Sequence, residues 1–103
     1  MAFVKVAQVS DIAPGQVKVI EVEDEDVALC NVDGRIYAIA DVCTHDDGPL
    51  GQGHLHGHQI ECPRHGARFD VRTGDALTLP AIVAIPTFEV KIEGDDILVD
   101  IDA

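Results

Sequence analysis

The chain has 103 residues, 47% of them apolar but only 4% aromatic, and nineteen acids against seven bases give it a formal net charge of −12. That length makes one domain with a modest, mainly aliphatic core, and the charge argues against nucleic acid and anionic membrane and for a partner with a basic face. No apolar run approaches the roughly 20 residues of a membrane helix, and Lys5 interrupts the N-terminal apolar residues before a secretory segment could form, so a soluble, cytoplasmic monomer with no membrane association is expected.

Strand signals dominate, and no stretch carries a helical period. Phe3–Gln8 reads as a first strand, closed by the loop from Ser10 to Gln16 with its Pro14-Gly15 pair. Val17–Val22 is a second strand. The acidic run from Glu21 to Asp26 is too charged to bury, so its latter half is expected to be a solvated turn. Val27–Val32 and Arg35–Ala40 flank Asp33-Gly34, a pair suited to a two-residue hairpin turn at positive φ.

Asp46 to Gly53 is loop by composition. His54–Ile60 looks like a hairpin turning near Gly57-His58. Phe69–Val71 and Ala76–Leu79 bracket Arg72-Thr73-Gly74-Asp75 as a further hairpin. In the last segment Phe88, Val90 and Ile92 alternate with Glu89, Lys91 and Glu93, and Ile97, Val99 and Ile101 continue with period two after Gly94-Asp95-Asp96. This hairpin is expected to close against the first strands. The whole reads as an all-β, antiparallel β-sandwich.

The chemistry lies between the fourth strand and the His54 hairpin's return. Cys43-Thr44-His45 is followed, after sixteen residues, by Cys62-Pro63-Arg64-His65. Each pair presents one cysteine and one histidine from a single short loop. Thiolates favour zinc, Cu(I) or iron–sulfur clusters and imidazole suits zinc, copper, iron and nickel, so zinc and iron–sulfur lead. A two-iron cluster held between two loops, with two histidines replacing two cysteines on one iron, requires this pairing. A structural zinc site is the rival, but zinc fingers space their first pair as Cys-x₂₋₄-Cys, which Cys43-x-His45 does not match.

On these residues, and over "CTHDDGPL" and "CPRHGARFDVRTG", the chain resembles the Rieske [2Fe–2S] family, and within it the ferredoxins of bacterial aromatic ring-hydroxylating dioxygenases. The resemblance implies that Cys43 and Cys62 hold one iron and His45 and His65 the other. It implies a base at 1–40 and 82–103 with an inserted cluster-binding subdomain at about 41–81. It further implies a low-potential carrier, not an enzyme, that takes single electrons from a flavin-dependent NAD(P)H ferredoxin reductase and hands them to a terminal oxygenase. A carrier for another oxygenase, or a Rieske-like subunit of a larger reductase, is the alternative within the family. Respiratory members carry a disulfide between the two loops; here the matching positions are Gly48 and Arg64. Those members also carry Ser and Tyr hydroxyls, which donate to cluster sulfurs, where this chain has Ala67 and Phe69. Leu79-Pro80-Ala81 sits where the family has a proline-containing loop over the cluster.

The remaining polar residues have plainer readings. Gly48 and Gly66 permit tight turns and let backbone N–H groups approach sulfur. Pro63 stiffens the second loop and removes one donor. Cys30, in a strand, is a small buried apolar side chain. Arg64, Arg68 and Arg72 are expected to pair with Asp46, Asp47, Asp70 or Asp75, a positive rim around the ligand histidines that shapes partner docking being the alternative. His54, His56 and His58 would share one face of a straight strand and are read as solvated, a second metal site being the sharper alternative.

Overall fold

A computed structural model describes residues 3–44, 48–63, 66–79 and 83–100. Among these are nine strands: β1 (Phe3–Gln8), β2 (Val17–Val22), β3 (Glu25–Val32), β4 (Arg35–Ala40), β5 (His54–His56), β6 (Gln59–Glu61), β7 (Arg68–Asp70), β8 (Thr87–Glu93) and β9 (Asp96–Asp100). The one helical element among them is a 3-10 turn at Val9–Asp11. Every named pairing is antiparallel, which bears out the all-β expectation.

Six strands form one sheet in the order β1-β9-β8-β4-β3-β2, and β5-β6-β7 form a second. Among the described residues no long helix covers the large sheet, and its strands bury their apolar side chains against one another. Val27 and Leu29 of β3 and Ile36 and Ala38 of β4 share one core with Ile97 and Val99 of β9. The opposite face of β3 and β4 offers Ala28, Cys30, Val32 and Ile39 to a second core, completed by Leu50, Ile60, Phe69, Val71 and Ile85. Strand β3 is thus covered on both faces, and Val27–Val32 is buried at every position. That explains its unbroken apolar run, since a strand buried on both sides loses the period-two alternation.

Two turns place residues other than glycine at positive φ. Asp33-Gly34 joins β3 to β4 with φ of 52° and 94°, as the hairpin reading requires. Glu23 and Asp24, at 48° and 68°, make the β2–β3 turn. That turn is narrower than the acidic run suggested: Glu21 pairs with Asp26 and Val22 with Glu25, so β3 starts two residues before Val27. The carboxylates stay exposed while their backbone continues the ladder.

The expected strand Ala76–Leu79 does not form. Only a single bridge, Phe69 to Ala76, continues from β7. The Arg68 N–H donates to the Thr78 hydroxyl at 2.9 Å instead of to a strand carbonyl, and this side-chain capture stops the ladder. The terminal hairpin is present, with β9 pairing β1 along its outer edge. Ile101 lies outside the described residues.

Candidate metal centre

Cys43 is the third residue after β4, and its N–H donates to the Gly48 carbonyl at 2.8 Å. Cys62 follows β6 immediately. Its N–H donates to the Ala67 carbonyl at 2.7 Å while its own carbonyl accepts from Gly66 at 3.0 Å. Gly66 sits at φ +75°, where an L side chain is strained, so the turn that delivers Cys62 depends on glycine. Both cysteines are buried, at 0% and 1% exposure, and belong to the same core. Neither is in a disulfide. Two loops rooted on different sheets therefore bring two soft donors into one water-poor region.

His45 and His65 lie outside the described residues, as do Asp46, Asp47, Arg64, Pro80 and Ala81. Ala67 and Phe69 are fully buried in the core that holds the cysteines, so any group placed at their side-chain tips would be shielded from water. Cys30 shares that core, and burial, with a smaller push from the charge of Asp41, raises its thiol pKa to about 12. It stays protonated near neutral pH, which fits a packing residue.

Tertiary contacts that local patterns do not announce tie the two loops together. An added Cβ at Gly53, downstream of Cys43, would lie 1.9 Å from the carbonyl oxygen of Glu61, the residue before Cys62. Only glycine allows that approach. The Thr44 hydroxyl donates to the Val83 carbonyl, binding the first loop to the segment after residue 82. Close by in the chain, Leu77, Leu79 and Val83 are exposed at 44%, 79% and 57%. The glycine spacing at 48, 51 and 53 was the one sequence signal for such close packing.

Charge pairing on the second sheet differs in part from expectation. Arg72 grips Asp70 through two bonds of 3.1 and 2.8 Å, as proposed. The hydrogen bond from Arg72 holds the Asp70 carboxyl below its ordinary pKa. Arg68 instead reaches Glu61 at 3.0 Å and Gln59 at 3.4 Å, because register puts Glu61 directly opposite it. His56 Nε2 lies 3.2 Å from the same Glu61 oxygen. Gly57, at φ +62°, ends β5, so His58 does not continue the face of His54 and His56. Among the described residues no three His, Cys, Asp or Glu side chains gather as metal ligands.

Residues 2–89 match the Rieske [2Fe-2S] domain. The chain belongs to the Rieske [2Fe–2S] family. Among curated relatives, the ferredoxin component of biphenyl 2,3-dioxygenase from Rhodococcus jostii (strain RHA1) is 45% identical over 102 residues, covering 99% of this chain and 95% of that protein. Among solved structures, the ferredoxin of carbazole 1,9a-dioxygenase from Nocardioides aromaticivorans IC177 superposes with a TM-score of 0.91 at 34% identity, over 96% of this chain and 97% of its own. A ferredoxin in complex with the reduced oxygenase of carbazole 1,9a-dioxygenase gives 0.88 at 36% identity, over 94% and 91%.

The group this family implies is a Rieske-type [2Fe–2S] cluster. The described residues fit it: two buried thiols, each on a hydrogen-bonded turn, are the soft donors one iron requires. Two thiols alone would suit zinc equally; the family match over residues 2–89 is what favours the cluster over zinc.

Proposed function

We propose that this protein is the ferredoxin component of an aromatic-ring dioxygenase system, a soluble cytoplasmic monomer that carries single electrons. The observation that carries this reading is the end-to-end match to a dioxygenase ferredoxin, 99% of this chain against 95% of the relative. Cys43 and Cys62 bind one iron and His45 and His65 the other, within a cluster-binding subdomain at 41–81 set into a base of 1–40 and 82–103. A cluster so held accepts and returns one electron at a time at low potential.

The chain's own residues do the rest. The backbone bonds from Cys43 to Gly48 and from Cys62 to Ala67 fix the two cysteines, and the aliphatic core around them holds their thiolates away from water. Leu77, Leu79 and Val83 expose apolar side chains on a chain of acidic net charge, and the Val83 carbonyl accepts from Thr44 of the first loop. A terminal oxygenase takes the electrons, a role supported by the likeness to a ferredoxin solved in complex with the oxygenase of the carbazole system. Electrons arrive from a flavin-dependent NAD(P)H ferredoxin reductase with a basic docking face. Neither nucleic acid nor membrane suits a surface of this charge.

Purified protein mixed with NADH, a flavin-dependent ferredoxin reductase and a biphenyl-type terminal oxygenase tests the reading. The ferredoxin should be reduced and then reoxidised by the oxygenase, with product formed only when all three are present. Reduction should slow as salt rises, because charges beyond about 8 Å are screened at physiological ionic strength. Failure to reduce the oxygenase, with the cluster intact, would overturn the assignment.

A further inference from the structure

We propose that Asp41 is the positioning residue of the first ligand loop, a fixed dual acceptor that closes the chain after Cys43. This rests on the reading that Cys43 holds the cluster. Asp41 lies one residue past β4, and its N–H donates to the Asp26 carbonyl at 3.0 Å, which extends the β3–β4 ladder by one rung. The side chain therefore starts from a rigid base. One oxygen, Oδ1, accepts the N–H of Leu50 at 2.9 Å and of Gly51 at 2.6 Å.

Those two donors need it. The Leu50 side chain is fully buried in the core that contains both cysteines, which draws its backbone inward. The Gly51 backbone is equally confined: an added Cβ would lie 2.2 Å from Val19 Cγ2 and 3.0 Å from Asp41 Oδ1. Buried or half-buried N–H groups without an acceptor are costly, and charge-assisted bonds are the strong ones. The chain after Cys43 is thereby held at Leu50 and Gly51 by the Asp41 carboxylate, and at Gly53, whose N–H donates to the Leu50 carbonyl, it lies close against the Glu61 carbonyl. The carboxylate sets where the loop closes, and so where Cys43 stands relative to Cys62.

Asp41→Ala removes the acceptor, whereas Asp41→Asn keeps an oxygen there and loses only the charge. Amide hydrogen exchange at Leu50 and Gly51, measured on holoprotein, should accelerate about tenfold or more in Asp41→Ala, the factor one lost charge-assisted bond represents. Cluster bleaching in the presence of an iron chelator should accelerate similarly. Asp41→Asn should restore both to within about threefold of the wild type, a rescue that a merely structural loss of packing would not give. Unchanged exchange in Asp41→Ala, or an Asn variant as damaged as the Ala one, would overturn the proposal. Where Asp41→Ala does not fold, Asp41→Ser carries the test, since its shorter side chain cannot accept both the Leu50 and Gly51 N–H groups; wild-type exchange and bleaching there would refute it. Wild-type protein without iron and acid-labile sulfide would fail the cluster reading instead, and the exchange comparison alone would then decide the role of Asp41.

Discussion

Gly53→Ala should separate the two ligand loops. The Cβ it adds would stand 1.9 Å from the Glu61 carbonyl oxygen and 3.1 Å from that of Leu50. Carbon and carbonyl oxygen rest at about 3.3 Å or more, so the loop must move off β6 by roughly 1.4 Å. Backbone is on the other side of the contact, so no side chain can rotate away. Overpacking of this kind costs about 1–3 kcal/mol, and each kcal/mol lowers the melting temperature of a domain this size by roughly 4–8 °C. The displacement also exceeds the ~0.2 Å tolerance of metal–ligand distances several-fold. Gly53→Ala should therefore melt earlier and retain substoichiometric iron and acid-labile sulfide. Gly57→Ala is the control: at φ +62° with nothing within 4 Å of its Cβ, it costs only about 1 kcal/mol of backbone strain and leaves the iron content unchanged. Differential scanning calorimetry and iron analysis read both effects. Full iron and wild-type melting in Gly53→Ala would refute the argument that this contact sets the loop spacing.

Ala67→Ser and Phe69→Tyr place hydroxyls in a fully buried core, where a hydroxyl without an acceptor costs about 1–3 kcal/mol. If cluster sulfurs accept them, redox titration should show a higher potential, most with both changes, from a native value at the low end of the roughly −150 to +300 mV that Rieske centres span. A native value near the top, or a fall in the intact double variant, would contradict this. For Asp70, the lowered carboxyl pKa means a stabilising contribution present above about pH 4 and lost as pH falls through the folded-state value. Acid titration of stability should therefore steepen below pH 4 in the wild type and flatten there in Arg72→Gln; identical slopes would show that the pair contributes nothing.

Local pattern carried much of the fold. The alternation in β8 and β9, the Asp33-Gly34 turn and the paired Cys-x-His and Cys-x-x-His loops are written in near neighbours, and strand and family readings followed from them. What the pattern missed depends on residues far apart in sequence. The early start of β3 at Glu25 comes from register with β2, which lets charged residues extend a ladder while their side chains stay in water. Ala76–Leu79 has strand composition, yet the Thr78 hydroxyl takes the N–H that would continue the pairing. Arg68 chose Glu61 over the nearer aspartates because cross-strand register decides that contact. Asp41 reads in sequence as one of nineteen acids. Its significance appears only when β4 brings its carboxylate under the N–H groups of Leu50 and Gly51.

Pulsed EPR of the dithionite-reduced protein, grown with and without ¹⁵N-histidine, tests the central claim that a Rieske cluster is held by Cys43, Cys62, His45 and His65. The account predicts a reduced [2Fe–2S] signal coupled to two histidine nitrogens that change with the label, and loss of the intact cluster in His45→Ala and His65→Ala. A signal with no labelled nitrogen coupling, or a colourless protein containing zinc, would contradict it.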